Sequence, residues 1–217
     1  AAGDLSGHSL AISADGNRIA IGARYNEGDN GYLSGHVRIF DWDSDTATWN
    51  QAGDDIDGEA AEDEFGDAMA MSADGTRIAI GAGHNGGNGA DSGHVRVFDW
   101  DPTNDAYVRR GDSSQQLYGD AQDDKAGFSV ALSADGSIVA VGITGYNGDR
   151  GVVRVFVWNA IADTWTQRGA DGELDGADAY DDTGYSVALS DDGTVLAFGA
   201  AGHVYSGTWY QGLARVY

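Results

Sequence analysis

The phrase "SADGNRIAIGA" at residues 13–23 returns as "SADGTRIAIGA" from Ser72, "SADGSIVAVGI" from Ser133 and "SDDGTVLAFGA" from Ser190. The four Asp-Gly pairs, at Asp15, Asp74, Asp135 and Asp192, stand 59, 61 and 57 residues apart. A period of this size marks a repeat architecture, in which each unit is one supersecondary element that buries its apolar face by stacking on its neighbours.

Four strands can be read in each unit. Strand A ("HSLAIS", "DAMAMS", "FSVALS", "YSVALS") alternates large apolar residues such as Leu10, Ile12, Met69, Met71, Val130 and Leu132 with Ala and Ser. The Asp-Gly turn closes a hairpin into strand B, where Ile19 and Ile21 alternate with Ala20 and Gly22. Strand C ("HVRIFDW", "HVRVFDW", "VVRVFVW") follows a Gly-rich loop, and strand D begins at Trp49, Tyr107 or Trp165, seven residues after Trp42, Trp100 or Trp158. One face of strands A and B carries only Ala, Ser or Gly, whereas C and D place Phe40, Trp42 and Trp49 and their counterparts, so each unit is a wedge. Wedges of four antiparallel strands around an axis make an all-β propeller, with strand A at the axis and strand D at the rim. The blades fall at about residues 1–53, 54–111, 112–169 and 170–217, and the fourth ends at "GLARVY" without an outer strand. That leaves a strand edge to be covered by self-association or by further blades of a longer chain.

Charge narrows the partners. Thirty-five acids against twelve bases give a net charge of -23, which repels phosphate backbones and excludes nucleic acid as a partner. No apolar run approaches the roughly 20 residues that span a bilayer, so direct membrane insertion is not expected. Cysteine is absent and leaves the redox compartment open. No nucleophile elbow, zinc-protease helix, phosphate loop or dinucleotide fingerprint occurs, so the expectation is that the protein is not an enzyme.

Phe65-Gly66, a strand, Gly81-Ala82 and a Gly-rich loop leading into "GHVRVF" resemble the FG-GAP repeat of integrin α-subunit propellers and their bacterial and algal relatives, and the resemblance runs through all four units. It implies a non-enzymatic binding or adhesion module, secreted or at the cell surface, whose loop face contacts a protein or polysaccharide. A structural repeat subunit of a larger extracellular assembly and a propeller enzyme are the alternatives.

The resemblance also implies calcium, which FG-GAP hairpins often bind through a run of carboxylates between strands A and B. Here those positions hold Ala11 and Ser13, Ala70 and Ser72, or Ala131 and Ser133, so the single Asp before each Gly reads as a turn former. Most of the acids collect instead in the D-to-A connectors and, with Glu27, Asp29, Asp91 and Asp149, in the B-to-C loops. Both loop sets leave a blade on the same side, which makes one face strongly acidic. The acids nearest the Gly that precedes strand A, Asp57, Asp63, Asp120, Asp124, Asp175 and Asp181, are the candidate calcium ligands. A merely solvated acidic surface is the alternative. His36 and His94 share a slot with Val152 and Leu213 and therefore read as packing, and Arg38, Arg96, Arg154 and Arg215 read as structural guanidinium contacts to aromatics and acids.

Overall fold

The computed structural model describes residues 3–28, 30–111, 117–169, 174–203 and 211–217, so that Asp29, Asp112, Asp171 and Glu173 of the acidic loops lie outside the described residues. The chain is all-β, with 47% strand and 2% helix. The first sheet is built from β1 (Ser9–Ile12), β2 (Arg18–Ala23), β3 (His36–Asp43) and β4 (Thr48–Gln51), with a short β5 (Ile56–Asp57) paired to β3. The second runs β6 (Ala68–Met71), β7 (Arg77–Ala82), β8 (His94–Asp101) and β9 (Ala106–Arg109). The third runs β10 (Ala126–Leu132), β11 (Ile138–Ile143), β12 (Val152–Asn159) and β13 (Thr164–Arg168). The fourth contains three strands among the described residues, β14 (Thr183–Leu189), β15 (Leu196–Ala200) and β16 (Leu213–Val216). All pairings within the sheets are antiparallel and follow chain order, as in propeller blades.

Period-2 alternation decides which neighbour each side chain meets. Met69 and Met71 lie opposite Ile80 and Ile78, and Ile78 lies opposite Phe98, so these large residues share the side of blade 2 that faces blade 1. There they pack on Ala20, Val37 and Ile39. The other side of blade 2 carries Ala79, Val95 and Val97 and receives Val130, Leu132, Val139, Val141 and Phe156 of blade 3. Blade 3 in turn offers Ala131, Ala140, Val153 and Val155 to Val187, Leu189, Leu196 and Phe198. Each interface thus sets a thick face against a thin one.

The recurring phrase is a self-contained turn. The Ser13 hydroxyl donates to Asp15 Oδ1 at 2.6 Å and accepts from the Arg18 amide at 3.0 Å, while the Asn17 amide donates to Asp15 Oδ1 at 3.0 Å. The same bonds join Ser72 to Asp74, Ser133 to Asp135 and Ser190 to Asp192. The tips are also tied from blade to blade: the amides of Ala14, Ala73 and Ala134 donate to the carbonyls of Ala73, Ala134 and Asp191, each at 2.8 Å.

Candidate functional site at the axial mouth

Each strand A is preceded by a glycine in a left-handed turn, Gly7, Gly66, Gly127 or Gly184, with φ between 88° and 89°. The following residue stands at the mouth of the axis on the loop face, and in chain order these four residues are His8, Asp67, Phe128 and Tyr185. They come together in pairs. His8 Nε2 lies 3.0 Å from Asp67 Oδ1, and Arg24 Nη1 donates to the same oxygen at 2.7 Å. Phe128 and Tyr185 form a tilted ring pair with centroids 5.2 Å apart.

Around this core the same mouth gathers further titratable groups. Glu64 Oε2 is 3.4 Å from Arg24 Nη1 and 3.8 Å from His84 Nε2, and His84 Nδ1 is 3.0 Å from Asp91 Oδ1. The Glu64 slot is filled by Lys125 in blade 3 and by Asp182 in blade 4. Burial, with repulsion from Asp149, pushes the Asp182 carboxyl above the usual carboxylate range. Burial opposes the charge of Arg24, but hydrogen bonding and attraction to Asp67 and then Glu64 outweigh it and hold its pKa above the ordinary value. A histidine that shares its carboxylate with an arginine can exchange a proton with a bound molecule while the arginine fixes the acid in place.

Four of the six carboxylates expected to bind calcium, Asp63, Asp120, Asp124 and Asp181, are engaged by donors of the protein itself. Asp63, Asp124 and Asp181 are buried, and Oδ2 of each accepts two backbone amides of the preceding turn: Glu59 and Ala60, Asp120 and Ala121, Ala177 and Asp178, at 2.7 to 3.1 Å. Asp63 Oδ1 also accepts from Asn85 at 2.9 Å, and Asp181 Oδ1 lies 2.9 Å from His203 Nδ1. Asp120 pairs with Arg154. Asp57 sits on β5 opposite His36, and Asp175 forms an isolated bridge with Val152 and keeps a buried Oδ1 with no hydrogen bond. The backbone places Asp57 and Asp175 in one slot, which Tyr118 fills in blade 3, whereas Asp120 occupies the Glu59 slot. Among the described residues no three His, Asp or Glu side chains are grouped to hold a metal ion.

His94 is fully buried with both ring nitrogens unbonded and its edge toward Tyr118, centroids 5.5 Å apart, and burial holds its pKa well below the ordinary value. Arg96 and Arg154 lie 4.4 and 5.4 Å from the rings of Tyr118 and Tyr146, and Arg96 pairs with Glu59. The mouth residues His8, Arg24 and Asp67 escaped the sequence reading. Their signal is inverse to the repeat: the slot after the recurring glycine holds a histidine, an aspartate and two aromatic rings where its surroundings are nearly constant.

No family model matches the sequence, and no curated protein does. Solved structures similar in fold include Sqt1 from Chaetomium thermophilum, 19% identical over 92% of this chain and 43% of that one, with a TM-score of 0.55. They also include the periplasmic gluconolactonase PpgL of Pseudomonas aeruginosa, 14% identical over 95% of this chain and 56% of that one, again at 0.55. The chain therefore spans about half the length of these structures, and at such identity the likeness carries the fold alone. It corrects the expectation of a non-enzymatic adhesion module: a gluconolactonase shares the blade arrangement as closely as Sqt1 does, so propeller blades do not single out adhesion. The four antiparallel sheets and these neighbours together fit a β-propeller.

Proposed function

We propose that the axial mouth binds a small hydroxylated molecule of saccharide type and acts on it by acid–base chemistry, with His8 carrying the proton and Asp67 positioning it. The observation that supports this reading most is the convergence of His8 and Arg24 on one oxygen of Asp67. Arg24 fixes the Asp67 carboxylate against the His8 ring, so the acid holds the imidazole in one orientation. Tyr185, half exposed beside Phe128, offers the flat apolar surface on which the C–H face of a sugar ring stacks, while Glu64, Asp91 and Asp182 are placed to accept from hydroxyls. A secreted or cell-surface setting, which the FG-GAP resemblance implies, is proposed with it.

The test is titration by NMR and calorimetry of the protein with neutral monosaccharides and their lactones, with turnover followed in the same samples. The reading expects binding that shifts the His8 ring signals, is lost in Tyr185→Ala, and turnover that is lost in His8→Ala and Asp67→Asn with binding retained. Binding that survives Tyr185→Ala, or a panel in which nothing binds, would overturn it.

A further inference from the structure

The junctions between blades repeat one polar contact, and its versions differ in how many guanidiniums they hold. In blade 2, Asp99 of β8 lies opposite Arg77 of β7, and its carboxylate takes the guanidiniums of both Arg77 and Arg110. Arg110 also lies over the Trp158 ring of blade 3, its guanidinium carbon 4.1 Å from the centroid. A guanidinium held between a carboxylate of one blade and an indole of the next combines an ion pair with a cation–π contact.

Blade 1 repeats the arrangement with one member changed. Asp41 lies opposite Arg18 and takes its guanidinium through Oδ1 at 2.5 Å and Oδ2 at 2.6 Å, and the indole of the next blade is Trp100. The slot of Arg110 holds Ala52: the Ala52 amide donates to the Ile39 carbonyl at 2.9 Å, as the Arg110 amide donates to that of Val97 at 2.8 Å. Asp41 thus carries one guanidinium where Asp99 carries two, and its side chain is 43% exposed against 33%. It lines a cavity of about 390 Å³ at the A-to-B hairpins, on the face opposite the axial mouth, with Asp15 and Arg18 of blade 1 and Asp74, Thr76 and Trp100 of blade 2. Blade 3 places Ile138 and Val157 in the slots of the paired arginine and aspartate, so a junction closes without the carboxylate. Arg168 stands there in the slot of Arg110, and Ala52 is the exception among the three.

We infer that this cavity binds the guanidinium group of a ligand, with Asp41 as its carboxylate partner. Arg110 shows, within the same molecule, what such an aspartate receives beside its first arginine, and Ala52 removes the resident group from blade 1. Each carboxylate oxygen has two lone pairs, so Asp41 can accept a second fork of donors while it keeps Arg18. Asp15, Asp41 and Asp74 against Arg18 leave the walls of the cavity negative, and the whole chain, at -23, draws cations toward it. The planar fork of a guanidinium matches a carboxylate edge that an ammonium meets only as a point charge. The site shares no residue with the axial mouth, so it stands or falls apart from the acid–base reading.

The test is calorimetric titration of the chain with Nα-acetyl-arginine amide, beside Nα-acetyl-lysine amide and methylguanidinium. The inference expects one blocked arginine bound per chain, about tenfold more tightly than the blocked lysine. Asp41→Asn should lose this binding with an unchanged circular dichroism spectrum, since Val157 in the same slot of blade 3 shows that a junction does not need the charge. Arg110→Ala removes the second guanidinium from Asp99 and should raise the stoichiometry to two, a gain that a loss of folding cannot imitate. Methylguanidinium that binds as tightly as the blocked arginine makes the ligand a small guanidine, and tighter binding of the blocked arginine makes it an arginine side chain of a peptide. No binding by the parent, equal affinity for the blocked lysine, binding that Asp41→Asn leaves unchanged, or a stoichiometry that stays at one in Arg110→Ala overturns the inference.

Discussion

At the scale of single residues, His94 separates packing from chemistry. Its ring is enclosed and unbonded, so the charged form is excluded from the folded state and its pKa lies well below the unfolded value near 6.5. Between those two values the unfolded chain binds the extra proton, so stability rises with pH through this window and is lost as pH falls below about 6.5. Val152 fills the same slot in blade 3, and His94→Val is therefore expected to leave stability at pH 8 unchanged or higher and to flatten the decline between pH 7 and 5. Thermal melts across pH check this, and a parallel decline in both proteins refutes it. Asp63, Asp124 and Asp181 carry a different burden: each satisfies two amides of its turn, so Asp124→Ala should cost about 1–3 kcal/mol through the amides left unpaired. For calcium to bind these carboxylates it would have to displace N–H donors that already hold them, so we expect the same melting temperature in chelator and in millimolar calcium. These roles could not be read from the sequence, because a capping aspartate and a metal-binding aspartate look alike until the donors are placed. His8 and Asp67 were hidden for a different reason, since their contact joins two neighbouring units and no spacing within one unit reports it.

At the scale of the element, the Ser-x-Asp-Gly hairpin shows why so much of the fold was legible. Every bond of the turn lies within six residues, so the same letters force the same geometry four times, and the alternation on either side fixes which neighbour each side chain meets. The connectors were less legible: β5 pairs with β3 at a distance, through His36 opposite Asp57 and Val37 opposite Ile56, and neither segment announces the partnership. The hairpin aspartates are ionised well into acid, and Asp192 is held at about 2 by the Ser190 hydroxyl and by the Thr194 amide and hydroxyl. Their folded pKa values lie below the unfolded value, so this contribution is present above about 3.9 and is lost as pH falls toward 2. Asp135→Asn keeps an acceptor for the Ser133 and Ser137 donors but removes the charge. The variant is expected to be less stable than the parent at pH 7 and to converge with it at pH 2, as followed by urea unfolding at each pH.

At the scale of the whole molecule, the blade junctions set stability, and two glycines in one slot show how. Gly81 faces a backbone: a methyl group there would meet the Gly127 carbonyl at 2.1 Å, the Gly127 carbon at 3.0 Å and its Cα at 3.3 Å, none of which can rotate aside. Gly81→Ala must push blades 2 and 3 apart, and overpacking of this kind costs about 1–3 kcal/mol or more. The one close neighbour of a Cβ on Gly199 is the Ser186 hydroxyl at 2.7 Å, which can turn to another rotamer, the Leu213 carbonyl oxygen lying at 3.9 Å. Gly199→Ala is therefore expected to leave the melting temperature unchanged, whereas Gly81→Ala lowers it. Thermal melts of the two variants beside the parent decide the matter, and a Gly199→Ala variant that loses as much stability as Gly81→Ala would mean that the close approach of the Gly127 backbone to Gly81 is not what sets the difference.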